Sequence, residues 1–507
     1  MVENSTGNTV ILCHSSQNYP HTHILTKVSL MPLFRKQFAT FLSLSLIVLF
    51  FICPTNHSQA AETSSEAPLQ IATFECDITP PLGSPLCYGH VAPAKIIVDP
   101  LIARGIIILG SEKPIVLLAL DWVGANNGAQ DVWKKQLAEA LGTTTDRCAV
   151  HCLHQHDTPG VDISTNDLLK QNGLNGVMYD ETYVADVMQR TIAAARQSLK
   201  KTQPVTHVGT GKGKVEQFAS NRRILGPDGK VKIVRFSSSR NPTAIAAPVG
   251  TIDAYVRVLS LWNKDQPLVA LSYYATHPQS YYGKGGVSCD TVGLARSIHE
   301  KQTPGVLHIH FNGAGGNIGA GKFNNGDPEN RPLLAQRLAD GMKHAWDTTE
   351  KTPVSASDVN WKSKSVLLPL RDTLDEKELA GILKNPKARL TDRIRAARDL
   401  NYLQRTQAGQ TIDITRLKIG PAQIIHMPGE LFVEYQLAAQ KMAPGDFVCM
   451  AAYGDQGPGY IGTKVSYAEG GYETGRVSRT APEVEEVLMQ TLRELVTNKD
   501  KESVPKK

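Results

Sequence analysis

No Cys-x-x-Cys pair occurs among the 8 cysteines, so a zinc knuckle built on short local spacing is excluded. No block of Lys and Arg interleaved with aromatics occurs either. A net charge of +6 is small for 507 residues, and the chain carries no nucleic-acid footprint. No apolar run reaches the ~20 residues a membrane-spanning helix needs; the strongest, Phe38–Ile52, falls short. No internal repeat is visible, and no Pro/Ser-rich linker divides residues 65–498, which read as one large α/β domain.

What is present is a globular composition, 41% apolar and 20% charged, with length enough for a large core. Arg35 and Lys36 precede the apolar run, and Ser58 and Ala60 supply small residues after it. Residues 1–60 therefore read as a secretory signal peptide, with Met31 as an alternative start. The mature protein is expected to be exported, to the periplasm or outside the cell, or membrane-anchored if the leader is not cleaved. Cleavage leaves Cys76, Cys87, Cys148, Cys152, Cys289 and Cys449. One or two disulfides would suit an exported protein, but spacing cannot pair them. The polar tail, residues 499–507, reads as disordered.

Strand and helix signals alternate from about Leu69. "PIVLLALD" (Pro114–Asp121) is a continuous apolar run, as in a strand buried on both faces. "AQDVWKKQLAEALG" has helical spacing and a C-cap candidate at Gly142, and "RCAVHCLHQH" is a second strand. Together they predict a right-handed βαβ unit. "YVRVLSLWNKDQPLVALSYYATHP" predicts a hairpin turning near Lys264–Gln266. "DTVGLARSIHEKQ", "RPLLAQRLADGMKHAW", most of Asp375–Gln407 and "APEVEEVLMQTLRELV" read as helices. "GVLHIHFNGAGGNIGAGKFNNG" reads as a strand entering a glycine-rich loop.

Histidine is concentrated in "HCLHQHDTPG", which holds His151, His154 and His156. His154 and His156 fall just past a strand's C-terminal end, where ligand sites of α/β sheets gather. The His-x-His spacing puts both imidazoles on one side of an extended segment. That suits one metal ligand with a catalytic group beside it. A second His-x-His, His308 and His310, lies inside a strand, where sheet packing is the expected role. His277 follows "LVALSYYAT", Glu430 follows "IIHMPG" in the first turn of a helix, and Tyr460 follows the strand "FVCMAAY". A catalytic zinc can draw ligands from distant strand ends and keep a position for water. Each residue is equally readable as an ordinary loop residue, and spacing alone leaves both readings open. Asp121, at a strand end, could orient a ligand histidine or cap a helix.

Several stretches, in order, resemble the catalytic N-terminal domain of the neutral ceramidases. "DITPPLG" (Asp77–Gly83) resembles the family's opening motif, and "DPLIARGIIIL" (Asp99–Leu109) its next block. "HQHDTPG" resembles Thr-His-Thr-His-Ser-Gly-Pro, and "ASNRR" (Ala219–Arg223) resembles the Asn-Arg-Ser segment. "ATHP" and "MPGEL" resemble the second histidine and Pro-Gly-Glu motifs. "GYIGTKVSYAEGGYE" keeps the tyrosine spacing at Tyr460, Tyr467 and Tyr472. The resemblance spans roughly residues 70–480. It implies one α/β catalytic domain of mixed β-sheets flanked by helices, with a zinc site at strand ends. It makes His154, His277, Glu430 and Tyr460 the zinc ligands. It makes His156 and Tyr472 residues that face a scissile amide, and Arg222 a substrate-contacting arginine. The reaction implied is hydrolysis of an amide in a small-molecule or lipid N-acyl substrate through metal-activated water, with peripheral membrane contact at most. Oligomeric state is left open.

Two departures bear on that reading. The family carries a serine, once proposed as a nucleophile, where "GGNIGAGKFN" here places Gly319 and Ala320. Activated water suffices in principle, and the loop's backbone N–H groups could still hold an anion or a substrate oxygen. The family also carries a β-rich domain after the tyrosine motif, whereas this sequence runs from Tyr472 through one helix to Lys507. Both leave room for two other readings. One is a non-catalytic extracellular binding protein on the same fold. The other is a deacylase acting on a non-lipid N-acyl or ester substrate.

Overall fold

A computed structural model describes residues 68–497 apart from Ser111. The expected leader in 1–60 and the tail 499–507 lie outside the described residues. No helix among the described residues is long and apolar enough to cross a membrane.

The apolar run after Pro114 forms the strand Ile115–Leu120, buried at every position. It pairs in parallel with Cys148–Cys152. The helix Gly128–Leu141 crosses between them, burying Trp133, Leu137 and Leu141. It ends where Gly142 turns left-handed at φ 68° and donates its N–H to the Ala138 carbonyl. The predicted βαβ unit is therefore present. The predicted hairpin is also present: Tyr255–Asn263 pairs with Gln266–Tyr274, its last rung joining Asn263 to Gln266.

Three larger mixed sheets flanked by helices, with five two-stranded ladders, make up the described fold. The first runs Cys148–Cys152, Ile115–Leu120, Ile102–Leu109, Gln70–Asp77, Gln203–Pro204. The second runs Leu307–Asn312, Gln266–Tyr274, Tyr255–Asn263, His207–Lys214, Glu350–Pro353. The third runs Val359–Val366, Ile412–Ile419, Ala422–His426, Phe447–Ala451. Each sheet has a parallel pair at one edge. Those edge strands meet: the Asn312 N–H donates to His151 Nε2 (3.0 Å), Ala452 N–H to the Asn312 carbonyl (3.0 Å), and Cys152 N–H to the Tyr453 carbonyl (3.1 Å). Parallel edge strands share a direction within each pair, so their C-terminal ends open toward one place. One apolar core spans all three sheets, from Ile71 through Leu271 to Ile424.

Three readings change, and one helix adds to them. Asp375–Gln407 is two helices, Glu376–Lys384 and Leu390–Gln407, because Asn385 precedes Pro386 and is held extended (ψ 110°). Glu430 is not helical; it lies in the short strand Glu430–Leu431, and the helix begins at Val433. The six described cysteines are all free thiols, with no disulfide among them. The helix Glu181–Ser198 was not anticipated, although Val184, Val187, Met188, Thr191 and Ala195 trace a buried helical stripe.

Candidate metal centre

His154 sits two residues past the strand Cys148–Cys152, with its N–H donated to the Trp122 carbonyl at 2.9 Å. Its φ is +65°, a left-handed conformation that costs a residue with a Cβ roughly 1–2 kcal/mol. Packing holds it there. Its Nδ1 lies 2.6 Å from the Val123 carbonyl. A carbonyl can only accept, so Nδ1 carries a proton, and in the neutral ring Nε2 is the nitrogen that presents a lone pair.

Glu430 Oε2 faces that lone pair at 3.4 Å and stands 3.7 Å from His277 Nε2. It is buried and has no hydrogen-bond partner. Two unprotonated acceptors in contact repel one another unless a cation lies between them. Two atoms each ~2.05 Å from a tetrahedral zinc would stand about 3.3 Å apart. The donor set and its spacing therefore fit a divalent metal. Burial works against the Glu430 carboxylate. The nearby His154 ring, the Tyr460 hydroxyl and the Arg222 charge outweigh it and hold the pKa below the ordinary value.

His277 ends its segment with its N–H on the Ile318 carbonyl (3.1 Å) and its ring hydrogen-bonded to the Gly315 backbone. Its ring is nearly parallel to that of Tyr460, with centroids 6.0 Å apart. Tyr460 is the register partner of Glu430 in a parallel two-residue ladder. Its hydroxyl accepts from Arg222 Nη1 at 3.1 Å and hydrogen-bonds Glu430.

His156 was expected beside the metal. Its Nε2 is 3.4 Å from His154 Nε2, and His154, His156 and His277 form one group whose ligand atoms lie within 4.8 Å of each other. That group could hold a metal ion. Burial pushes the His156 ring well below its ordinary pKa, with His154 and Arg222 adding to the effect, so the ring is neutral. Its Nδ1 is buried without a partner.

Arg222 is not a surface residue. The residue is 3% exposed, and its Nε lies 3.3 Å from Glu473, which is fully buried. Its other polar contacts run to Tyr460 and the Gly316 carbonyl. Tyr472 is 42% exposed and contacts the site through its ring, 5.7 Å from that of Tyr460, with the Arg222 guanidinium 5.6 Å beneath it.

The glycine-rich loop does something other than expected. Four of its N–H groups are held by neighbouring groups: Gly313 on the Tyr274 carbonyl, Ala314 on Gln436, Gly316 on the Leu431 carbonyl, Ile318 on the Gly315 carbonyl. The glycines let backbones touch. A Cβ on Gly315 would stand 2.4 Å from the Thr276 carbonyl oxygen, and one on Gly316 would stand 2.2 Å from that of Glu430. The loop thus clamps the segments bearing His277 and Glu430. Gly319 is different: it needs no left-handed backbone, and a Cβ there would lie 3.3 Å from Ser237.

Asp121 orients no histidine. It holds Arg296 through two bonds of 2.8 and 2.7 Å, both residues being buried. His308 and His310 stay in their strand on Thr303 and Ser272. Sequence reasoning missed Tyr453. Its ring packs 4.7 Å from that of His154 and its hydroxyl lies 3.4 Å from His277 Nδ1. Like His154 it has a positive φ (+61°), a strain with no sequence signature for an aromatic residue.

No family model matches this sequence, and no curated protein matches it. Solved structures do match in fold. One, a ceramidase complexed with C2, is 16% identical with a TM-score of 0.63, over 85% of this chain and 75% of that one. Another, neutral ceramidase from Pseudomonas aeruginosa, is 18% identical with a TM-score of 0.61, over 85% of this chain and 74% of that one. The fold of this chain is the ceramidase fold.

Proposed function

We propose that this chain is an exported, zinc-dependent amidohydrolase that cleaves the N-acyl bond of a lipid or small-molecule substrate. The observation that carries the reading is the bare His154 Nε2 facing Glu430 Oε2 at 3.4 Å, with His277 and Tyr460 alongside, in a ceramidase fold. His154, His277, Glu430 and Tyr460 would hold the metal. When bound, zinc lowers the pKa of a water to about 7 and polarises a carbonyl. His156, neutral and with a free Nδ1, accepts a proton and returns it to the leaving amine. The Tyr472 hydroxyl donates to the developing oxyanion. Arg222 fixes the Tyr460 hydroxyl and places positive charge beside it, a positioning role in place of a substrate anchor. Export rests on the leader read in residues 1–60.

The test is elemental analysis of the purified protein with hydrolysis of short- and long-chain N-acyl sphingosines and an N-acyl sugar. About one zinc per chain is expected, with activity lost to a chelator and restored by zinc. Hydrolysis of the sugar alone would move the substrate to the non-lipid class. Zinc-loaded protein inert toward every substrate would instead mark a binding protein, a reading favoured by the missing side chain at Gly319.

A further inference from the structure

A cavity of about 200 Å³ lies outside the metal centre, and no residue assigned to the metal or the chemistry lines it. Its walls come from the helix Gly128–Leu141, the edge strand Cys148–Cys152 and the strands Ile412–Ile419 and Ala422–His426. Asp131, Thr145 and Thr411 are exposed and make its rim, whereas Ala149, Val150 and His426 are buried and make its depth. At ~30 Å³ each, it has room for roughly six waters.

Its floor adjoins the metal centre. Gly454 donates its N–H to the Met427 carbonyl at 3.1 Å, and Gly429 donates to the Asp455 carbonyl at 2.8 Å, so two backbone segments lie side by side. Met427, Pro428, Gly454 and Asp455 of these segments line the cavity. Glu430 and the Tyr453 ring, from the same two segments, face His154 instead. The Gln130 amide ties the floor down by donating to the Val150 and Gly454 carbonyls at 3.2 and 3.1 Å. A floor fixed in advance favours binding, because little ordering is left to do.

Two features mark the cavity as a built site. The first is His426, which is 7% exposed. Its Nδ1 pairs with the Thr415 hydroxyl at 3.1 Å, and its Nε2 is buried with no hydrogen-bond partner. A buried ring nitrogen left unpaired is costly, so this one calls for a partner in the cavity. The second is the state of the charges. Lys134, the cation of the lining, is already spent on Asp413 at 3.2 Å, and Arg405 holds Asp131 at 2.8 Å. Asp455 Oδ1 accepts the N–H groups of Asn127 and Gly457, at 2.8 Å each. What remains is a mixture of donors and acceptors. A hydroxyl answers both, donating to Asp413 or Asp455 and accepting from Lys134.

We infer that this cavity binds a small neutral polyol, with one hydroxyl on His426 Nε2. It is a second ligand site, and it does not depend on the amidohydrolase reading.

The experiment titrates erythritol, ethanolamine and acetate into the purified full chain by calorimetry, and repeats erythritol with His426→Phe and Thr411→Trp. Phenylalanine keeps the ring contacts with Phe311 and Trp361 and lacks the nitrogen. Thr411 is exposed, so tryptophan there narrows the mouth without entering the core. Thermal melts check that both fold. Erythritol should bind saturably and more tightly than ethanolamine or acetate. Each variant should weaken it about tenfold or more, as for loss of a buried hydrogen bond. Tighter binding of ethanolamine or acetate would make the ligand a charged one and overturn the polyol. No saturable erythritol binding would leave the cavity to water alone. A folded Thr411→Trp that binds like wild type would put the ligand elsewhere. Neither metal nor turnover is needed, so zinc content and hydrolysis judge the metal centre separately.

Discussion

Glu430 and Tyr460 are partners across a parallel ladder only two residues long, so both side chains leave it on the same side. The ladder is closed by the Glu430 N–H on the Gly459 carbonyl (2.9 Å) and the Phe432 N–H on the Ile461 carbonyl (3.1 Å). It fixes a carboxylate and a phenol from separate segments at one point, opposite His154 and His277. Because the pairing is made by backbone, either side chain can be removed without losing the scaffold.

Glu430→Ala and His154→Ala should therefore fold and lose most of their zinc. Elemental analysis of the purified variants checks this. Full occupancy in both would sink the ligand assignment.

Tyr460→Phe and Tyr472→Phe should differ in kind. Tyr460 is buried, bonded to Glu430 and Arg222, so its loss should weaken zinc affinity as well as rate. Tyr472 touches the site through its ring, which the Phe variant keeps. Zinc should stay bound while the rate falls by roughly a hundredfold or more, as for loss of one oxyanion donor. An unchanged rate for Tyr472→Phe would remove it from the chemistry.

Gly316→Ala and Gly319→Ser should separate just as sharply. At Gly316 a methyl group would collide with the Glu430 carbonyl, and the backbone clamp must open. A loss of about 3 kcal/mol or more, with loss of zinc, is expected in denaturant titration. At Gly319 the backbone is ordinary and Ser237 has only to give by tenths of an ångström. Stability should change little and activity should not rise by orders of magnitude. A large gain, with an acyl group trapped on the new serine, would overturn the water mechanism.

Stability should fall on acidification below pH 6.5. Burial holds His90, His308, His310 and His426 down to about 3 and His299 down to about 4. Each folded pKa lies below the ordinary 6.5, so the unfolded chain binds the proton first. The stability from each is full above pH 6.5 and falls by about 1.4 kcal/mol per pH unit below it. Burial acts oppositely on Asp157 and Asp455, pushed up to about 6, which bind protons in the folded state between pH 6 and 4. Five histidines outweigh two carboxylates. Urea midpoints should drop between pH 6.5 and 4.5, and a midpoint that rises there would contradict the sign.

The sequence by itself determined many of the elements and set the candidate ligand residues at strand ends. Periodicity is a local property, so the buried strand Ile115–Leu120, the helix ending at Gly142 and the hairpin at Lys264 were legible one segment at a time. So was the placing of His154, His277 and Tyr460 after strands, because apolar runs stop where the sheet edge meets solvent. The break before Pro386 is written in the residue before a proline, whereas nothing local separates Glu430 from the helix that begins at Val433. Tertiary structure decided what no window can hold. Three edge strands from three sheets meet at Asn312, His151 and Ala452. That meeting sets which nitrogen of His154 is bare, because the deciding acceptor, the Val123 carbonyl, belongs to another segment. It makes Arg222 a buried partner of Glu473 and Tyr460, and puts Tyr453 against His154. A side chain's charge state and free atoms depend on what encloses it, and here the enclosing groups are far away in sequence.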